Sequence, residues 1–102
     1  MEDYYYRKQV MEIFQCDEHF LDKLEEEDLV RSVRVASLEE KVFPLDQVER
    51  IRIIRNLIEE LEVNLPGVEV ILSMRENMIL MQHQFQEILA ALVEELKTRL
   101  PD

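Results

Sequence analysis

The chain has 102 residues, 47% of them hydrophobic, and its 23 acidic residues outnumber 12 basic ones to give a net charge of −11. One domain fits this length, and the hydrophobic fraction can form a modest core without disulfides or a structural metal. Because a negative field repels phosphate backbones and anionic lipids, we expect basic protein surfaces as partners and disfavour nucleic acid and membranes.

The amino-terminal sequence MEDYYYRKQV lacks the charged start, apolar run and cleavage site of an export signal. No apolar run approaches the length that spans a bilayer. The single cysteine, Cys16, cannot form an internal disulfide, which is consistent with a reducing compartment. We therefore expect a cytoplasmic protein.

Two short helices are predicted near the amino terminus, after an extended run over residues 4–6. The apolar spacing predicts a first helix over residues 7–14, followed by a turn over residues 15–17. Asp17 suits the N-cap of a second helix, which we expect to run to about Asp28. The side chains predicted to face the core are Val10, Ile13, Phe14, Phe20, Leu21, Leu24, Leu29 and Val30.

The hydrophobic period changes after the second helix. Val33 and Val35 alternate with polar or small residues, which predicts a small hairpin or wing over residues 30–43. Pro44 then suits the start of a third helix. The apolar stripe of that helix consists of Val48, Ile51, Ile54, Leu57, Ile58 and Leu61.

The sequence VNLPG separates the third helix from a long fourth one. Asn64 can cap this helix, Pro66 is tolerated in a first turn, and no further breaker occurs before Pro101. We therefore predict a winged helix-turn-helix-like part over residues 1–63 and a long C-terminal helix over residues 64–102, which together form one structural unit.

The long helix carries apolar residues that step alternately by three and four. We call this set the seam: Ile71, Met74, Met78, Met81, Phe85, Ile88 and Leu92. A second stripe follows it: Leu89, Val93, Leu96 and Leu100. Because so long a helix protrudes beyond a small domain, we expect the seam to pair with a second copy, parallel or antiparallel, as a coiled-coil homodimer. The alternative is a compact four-helix monomer in which the seam folds back, since bundles use the same periodicity.

The predicted order is helix, turn, helix, small wing, helix and long helix. Tyr6 and the segments VMEIF, DEHFLDKLEEEDLV and KVFPLDQVERIRIIRNLIEEL occupy these places in a pattern that resembles the MerR-like superfamily. The run LEVNLPGVEVILSMRENM resembles the Pro-Gly junction of its short chaperone-modulator branch, the CbpM-type proteins. The resemblance covers most of the chain and implies a mostly α, MerR-like winged helix-turn-helix with a small β wing and a long C-terminal helix.

This resemblance also implies a function. Proteins of that branch bind the J-domain of a DnaJ-like co-chaperone and restrain its activity towards the Hsp70 partner, which meets the basic second helix of the J-domain. The resemblance carries no catalytic motif and no individual binding residue to this chain. We therefore expect a non-enzymatic, protein-binding modulator, and the binding residues must be predicted from charge and position.

The second helix is strongly acidic. Residues 1–32 contain ten acids and four basic residues, a net charge of −6. Such a surface would be steered towards a basic helix of a partner. Our candidates for partner binding are Asp22, Glu25, Glu26, Glu27 and Asp28. The alternative is that these acids form only a solvated helix end.

A MerR-like DNA-binding transcriptional regulator is the second functional hypothesis. A DNA-reading helix presents basic or amide side chains to phosphates and base edges, whereas carboxylates near phosphates repel and release no counterions. The hypothesis depends on basic residues of the wing and third helix, namely Arg31, Arg34, Lys41, Arg50, Arg52 and Arg55.

An enzymatic or metal-binding function has little support in the sequence. Cys16 and His19 have a C-x-x-H spacing, but a structural zinc site needs four ligands and no second pair exists. A nucleophilic cysteine needs a base, an orienting acid and an oxyanion site, for which the chain offers no motif. Glycine-rich phosphate loops are absent because Gly67 is the only glycine. We therefore expect no catalytic residue, no metal and no cofactor.

Overall fold

The computed structural model of the chain describes residues 3–99. Its elements, in chain order, are β1 (Tyr4–Tyr6), α1 (Arg7–Phe14), α2 (Glu18–Glu26), β2 (Val42–Pro44), α3 (Leu45–Leu61) and α4 (Leu65–Arg99). This order confirms the predicted fold class, which is mostly helical with a small β element and a long C-terminal helix.

The first two helices form a helix-turn-helix with the predicted ends, except at the end of α2. Gln15 adopts a left-handed conformation (φ 49°) and ends α1. The Asp17 side chain accepts a hydrogen bond from the Phe20 N–H at 2.8 Å, as expected of an N-cap. α2 ends at Glu26 rather than near Asp28, because Asp28 has a left-handed backbone (φ 57°) that no helix can continue.

The β structure differs from the prediction. β1 and β2 pair antiparallel, with Tyr5 opposite Phe43, so the principal partner of β2 is the amino-terminal strand. The small hairpin or wing predicted over residues 30–43 is present as a wing, without a second strand of its own beside β2. One isolated bridge joins Val33 to Val42 there, with both backbone hydrogen bonds at 2.8 Å, and it closes a minimal wing.

The described chain divides into two compact units between Val68 and Glu69. We call the first, residues 3–68, the winged unit. Its buried hydrophobic side chains are Val10, Leu21, Leu24, Leu29, Val30, Val42, Phe43, Ile51, Ile54 and Val68. They come from the helices of this unit, from β2 and from the connection after α2, so the core holds the helix-turn-helix against α3.

Seven side chains predicted to face the core are less buried than expected. Ile13 is 52% exposed and Leu61 is 67% exposed, while the other five are half-buried: Phe14, Phe20, Val48, Leu57 and Ile58. Ile13 lies in the last turn of α1 and Leu61 at the end of α3. A helical stripe continues past the region that the core covers, so periodicity alone overestimates burial in terminal turns.

α4 has 35 residues and a length of about 50 Å. Its start is capped by Asn64, whose Oδ1 accepts a hydrogen bond from the Gly67 N–H at 2.9 Å, and Pro66 lies in the first turn, as predicted. From Met74 onward its large hydrophobic side chains are 45 to 67% exposed. Leu100 of the second stripe lies outside the described residues. Within residues 3–99 no helix is both long enough and apolar enough to cross a membrane.

Candidate partner-binding surface

The surface of α2 and the turn after it is acidic. Residues 17–28 contain seven acids and one basic residue, Lys23. All of these acids are exposed except Glu25, which is half-buried. This segment therefore concentrates negative charge at the surface of the winged unit.

Arg7, the first residue of α1, binds three carboxylates of α2. Its Nε lies 3.1 Å from Glu18 Oε1, and its two terminal nitrogens donate hydrogen bonds to Asp22 and Glu25. Burial lowers the pKa of the guanidinium, but the hydrogen bond to Glu25 and the charges of all three carboxylates outweigh burial and raise that pKa. Arg7 thus stays charged and fixes α2 against α1. We call this arrangement the Arg7 clamp.

Glu25 extends the Arg7 clamp towards the wing. Its Oε2 accepts a hydrogen bond from Ser32 Oγ at 3.1 Å, while its other oxygen binds Arg7. The Glu25 side chain is 29% exposed, compared with 59% for Asp22. Both oxygens of Glu25 thus have a partner within the winged unit, and this carboxylate links α1, α2 and the wing segment.

The connection from α2 to the wing is also held from α3. The buried Gln47 side chain accepts a hydrogen bond from the Arg31 N–H at 2.9 Å. Arg50 donates a hydrogen bond to the Leu29 carbonyl oxygen. These contacts satisfy backbone groups of the connection and fix the position of the turn at the end of α2.

The five predicted partner-binding residues therefore fall into two sets. Asp22 and Glu25 face Arg7, whereas Glu26, Glu27 and Asp28 form an exposed group at the end of α2, which we call the acidic turn. Glu27 pairs with Lys23 at 3.3 Å, both side chains being about half exposed. Carboxylates at a helix C-terminus oppose the helix dipole, so the acidic turn does not stabilise α2.

Half of the basic residues that a DNA-binding surface would need have partners within the chain. Arg34 donates a hydrogen bond to the Glu39 carbonyl oxygen at 3.3 Å, and Arg52 pairs with Glu49. Arg50 binds the Leu29 carbonyl oxygen, as described above. Arg31 and Lys41 are exposed on the wing segment, and Arg55 is half-buried on α3.

Cys16 and His19 line a concavity of about 400 Å³ beside α3, together with Phe20, Lys23 and Arg55. Burial raises the pKa of the Cys16 thiol, and the nearby charge of Arg55 opposes this only in part. The thiol is therefore less reactive than a free cysteine at neutral pH. Within residues 3–99 no group of three or more histidine, cysteine or carboxylate side chains could hold a metal ion.

The seam lies along α4, with Ile71 half-buried and its other six residues exposed. A concavity of about 540 Å³ on this helix is lined by Ile71, Met74, Arg75, Met78, Ile79 and Gln82. The exposed Phe85 lies further along the same seam. α4 thus exposes a row of apolar side chains along most of its length.

Sequence reasoning missed the Arg7 clamp. It counted Arg7 only as one positive charge in the amino-terminal third of the chain, and gave it no partner. The available signal was the helix-turn-helix itself, because its tight turn brings the first helix against the second. A basic residue at the start of α1 then faces acids spaced by three and four on α2.

A family model described as MerR HTH family regulatory protein matches residues 6–89. The matched range includes the helix-turn-helix, the wing, α3 and most of α4. Comparisons with curated proteins and with solved structures gave no significant match.

Proposed function

Because the chain belongs to the MerR HTH family of regulatory proteins, we propose that it is a non-enzymatic modulator of a J-domain co-chaperone. In this proposal the acidic surface of α2 docks on the basic second helix of the J-domain and inhibits it by occupying the face that meets Hsp70. The observation that carries the proposal is the acidic charge of α2, the helix that would read DNA in a DNA-binding member of this fold.

The negative charge of α2 includes the end of the helix that would contact DNA. A recognition helix contacts base edges with its amino-terminal residues. Here that end carries Asp17, whose side chain caps the helix, and the exposed Glu18. Carboxylates at these positions repel phosphates and remove the counterion release that supplies most non-specific DNA affinity. The same charges favour a basic protein.

The acidic turn is the part of this surface that we assign to the partner. Glu26 and Asp28 are exposed, and Glu27 pairs with the exposed Lys23. The contacts of Arg31 and Leu29 with α3 hold this turn in place, so binding requires little ordering of its backbone. Ion pairs at a rim govern association rate and orientation more than affinity, so apolar contacts must contribute as well. Our candidates for those contacts are Tyr4, Tyr5 and the exposed part of α4.

The finer assignment to the chaperone-modulator branch depends on the Pro-Gly junction. Leu65 and Pro66 begin α4, and Asn64 caps it, at the place where the junction of the CbpM-type proteins breaks the chain between helices. This resemblance supports a J-domain as the basic partner and says nothing about which co-chaperone it is.

The proposal is tested by calorimetric titration against a J-domain encoded in the same genome, at low and at moderate salt, with a mixed-sequence DNA duplex in parallel. We expect saturable binding to the J-domain that weakens with salt, and no binding to the duplex, because complementary fields steer the first and repulsion prevents the second. Binding to the duplex without binding to the J-domain would contradict the proposal.

Charge reversal locates the binding surface. Glu26→Lys with Glu27→Lys is expected to weaken J-domain binding by about tenfold or more, because two attractive contacts become repulsive. The matched control is Glu60→Lys with Glu62→Lys, two exposed acids at the end of α3, which changes the net charge equally and is expected to leave affinity within about twofold. Equal losses in both variants would mean that net charge, and not the acidic turn, determines binding.

A DNA-binding transcriptional regulator is the second candidate, favoured by family membership and by the basic residues of the wing. Arg31 and Lys41 are exposed on the segment that would lie against a DNA backbone. If the duplex binds, Arg31→Ala should weaken that binding and reduce its salt dependence by about one unit of slope.

We also propose that the working form is a homodimer joined through the seam. Six of its seven side chains are exposed in the single chain, and a contiguous apolar stripe of this length normally marks an interaction surface. Heptad spacing matches it to another helix with the same pattern.

A further inference from the structure

The concavity beside α3 is separate from the surface that we assign to a protein partner, and we call it the α2–α3 concavity. Its lining includes Cys16, Asp17, Phe20, Lys23, Arg55 and Glu59. Of the described residues that line it, none belongs to the acidic turn or to the Arg7 clamp. Its volume of about 400 Å³ lies within the roughly 300–1,000 Å³ that small-molecule sites occupy.

Arg55 is a half-buried side chain of this concavity whose donors have no acceptor in the chain. Within residues 3–99 it donates no hydrogen bond and forms no ion pair, whereas the other half-buried arginines, Arg7 and Arg50, bind carboxylates and a backbone carbonyl oxygen. Burial raises the pKa of the Cys16 thiol and the charge of Arg55 opposes this, so the guanidinium lies near the thiol. A guanidinium has five N–H donors in a planar fork, and partial burial removes part of the water that would satisfy them. Arg55 can therefore bind an acceptor from outside the chain.

A second cation and an aromatic ring line the same space. Lys23 of α2 pairs with Glu27 at 3.3 Å, and an ion pair this exposed costs little to exchange. Phe20, about one turn earlier on α2, is half-buried and contributes apolar surface. The lining thus combines a fork of N–H donors, an exchangeable ammonium and an apolar wall. This composition suits a carboxylate that is attached to an apolar group.

The carboxylates of the lining restrict the charge of a ligand. Asp17 and Glu59 are both exposed there, so the concavity has as many acidic as basic side chains. Asp17 is held in place by its hydrogen bond from the Phe20 N–H. A ligand with one negative charge can reach Arg55 with limited repulsion, whereas a polyphosphate or a nucleic-acid backbone would bring further charges close to these carboxylates.

We propose that the α2–α3 concavity binds a small organic monocarboxylate, whose oxygens accept paired hydrogen bonds from Arg55 and whose apolar part contacts Phe20. Because Arg55 lies on α3 and Phe20 on α2, such a ligand would join the two helices. This site requires neither a J-domain nor DNA, so it goes beyond the proposed function.

Benzoate is a suitable probe because it combines one carboxylate with one aromatic ring. The full-length protein is titrated with benzoate at constant ionic strength and followed by the NMR signals of its backbone amides. We expect saturable shifts in the residues that line the concavity and a dissociation constant in the millimolar range, since so small a ligand makes few contacts. Absence of saturable shifts there would overturn the proposal.

Two other probes separate charge from apolar contact. Benzyl alcohol keeps the ring without the charge, and inorganic phosphate keeps negative charge without the ring. Both are expected to bind at least about tenfold more weakly than benzoate. Equal binding of benzyl alcohol would mean that Arg55 does not recognise the carboxylate, and equal binding of phosphate would mean that any anion is accepted. Either result would overturn the proposal.

Substitution of Arg55 locates the carboxylate. Arg55→Gln is expected to weaken benzoate binding by about tenfold, and Arg55→Lys, which keeps the charge but loses the planar fork, by about threefold. The matched control is Arg52→Gln, which removes the same charge from an exposed position of α3 and should change affinity by less than about twofold. Equal losses in Arg55→Gln and Arg52→Gln would contradict a specific role of Arg55. The amide spectra of the free variants check that each remains folded.

The single cysteine supplies an independent readout, because Cys16 lines the same concavity. Saturating benzoate is expected to slow the alkylation of Cys16 by iodoacetamide several-fold, since a bound ligand covers the thiol. Iodoacetamide is uncharged, so the same concentration of sodium chloride should leave the rate unchanged. An unaltered rate in benzoate would place its binding elsewhere on the protein and overturn the proposal.

Discussion

The winged unit and the part of α4 beyond it use their hydrophobic residues in opposite ways. In the winged unit ten hydrophobic side chains are buried, and the surface carries most of the negative charge of the chain. In α4, from Met74 to Leu96, the large hydrophobic side chains are at least 45% exposed, and few charges lie among them. One region is thus stabilised by its own core, whereas the other leaves its apolar side chains exposed.

In the function and assembly that we propose, these two regions would use different modes of recognition. Charge attracts over long distances and orients a partner, but it is weakened by salt. Apolar surface acts only on contact and is not weakened by salt in the same way. A regulator that binds a basic protein through one region and itself through the other can keep the two interactions independent.

The largest expected effect is the loss of stability when the core of the winged unit is disrupted. It tests whether this unit is stabilised by its own core. Ile54 is fully buried, so Ile54→Ala should lower the free energy of unfolding by about 2–5 kcal/mol, from lost burial and the cavity that remains. Urea denaturation at fixed protein concentration measures this, with Leu80→Ala on α4 as the control. A loss below about 1 kcal/mol in Ile54→Ala would contradict the idea of a self-sufficient core.

A smaller effect is expected when the seam is disrupted, namely a loss of about 3 kcal/mol in the free energy of dimer association. Met78→Glu places a charge in the centre of the apolar stripe and should weaken self-association by about a hundredfold. Sedimentation at micromolar concentration should then show a mass near 12.3 kDa for the variant and twice that for the unmodified chain. If both are monomers, the seam is not an interface and our prediction of a dimer is wrong.

The smallest effect concerns the Arg7 clamp. Arg7→Met keeps much of the apolar stem but removes three charge-assisted contacts, so we expect a loss of about 1–2 kcal/mol in the free energy of unfolding. The loss should become smaller in high salt, because the released carboxylates of α2 then repel each other less. Arg52→Met, which breaks an exposed pair with Glu49, is the control and should change stability by less than about 0.5 kcal/mol.

The sequence predicted the helices well because their signals are local. Arg7–Phe14 was predicted with its observed ends, and the caps at Asp17 and Asn64 were identified by residue type and position. The period of apolar residues also located the long helix. These features depend on neighbours within about four residues, which a sequence displays directly.

The sequence failed where distant residues decide the structure. Alternation at Val33 and Val35 indicated β structure within residues 30–43, where Val33 does bridge to Val42, but it did not indicate that β2 pairs mainly with β1, more than thirty residues away. The acidic candidates were treated as equivalent, yet Arg7 separates Asp22 and Glu25 from the acidic turn. Strand partners and ion pairs between helices are set by tertiary packing, which periodicity does not specify.

The Arg7 clamp also constrains how such a protein can evolve. To convert α2 into a basic, DNA-reading helix, substitutions would have to replace carboxylates that Arg7 needs as partners. Each early step would leave a partly buried guanidinium next to new positive charge, so the intermediates would be less stable than either end point. Residue 7 and the acids of α2 should therefore change together among related chains, and an arginine at this position should mark those that have kept an acidic second helix.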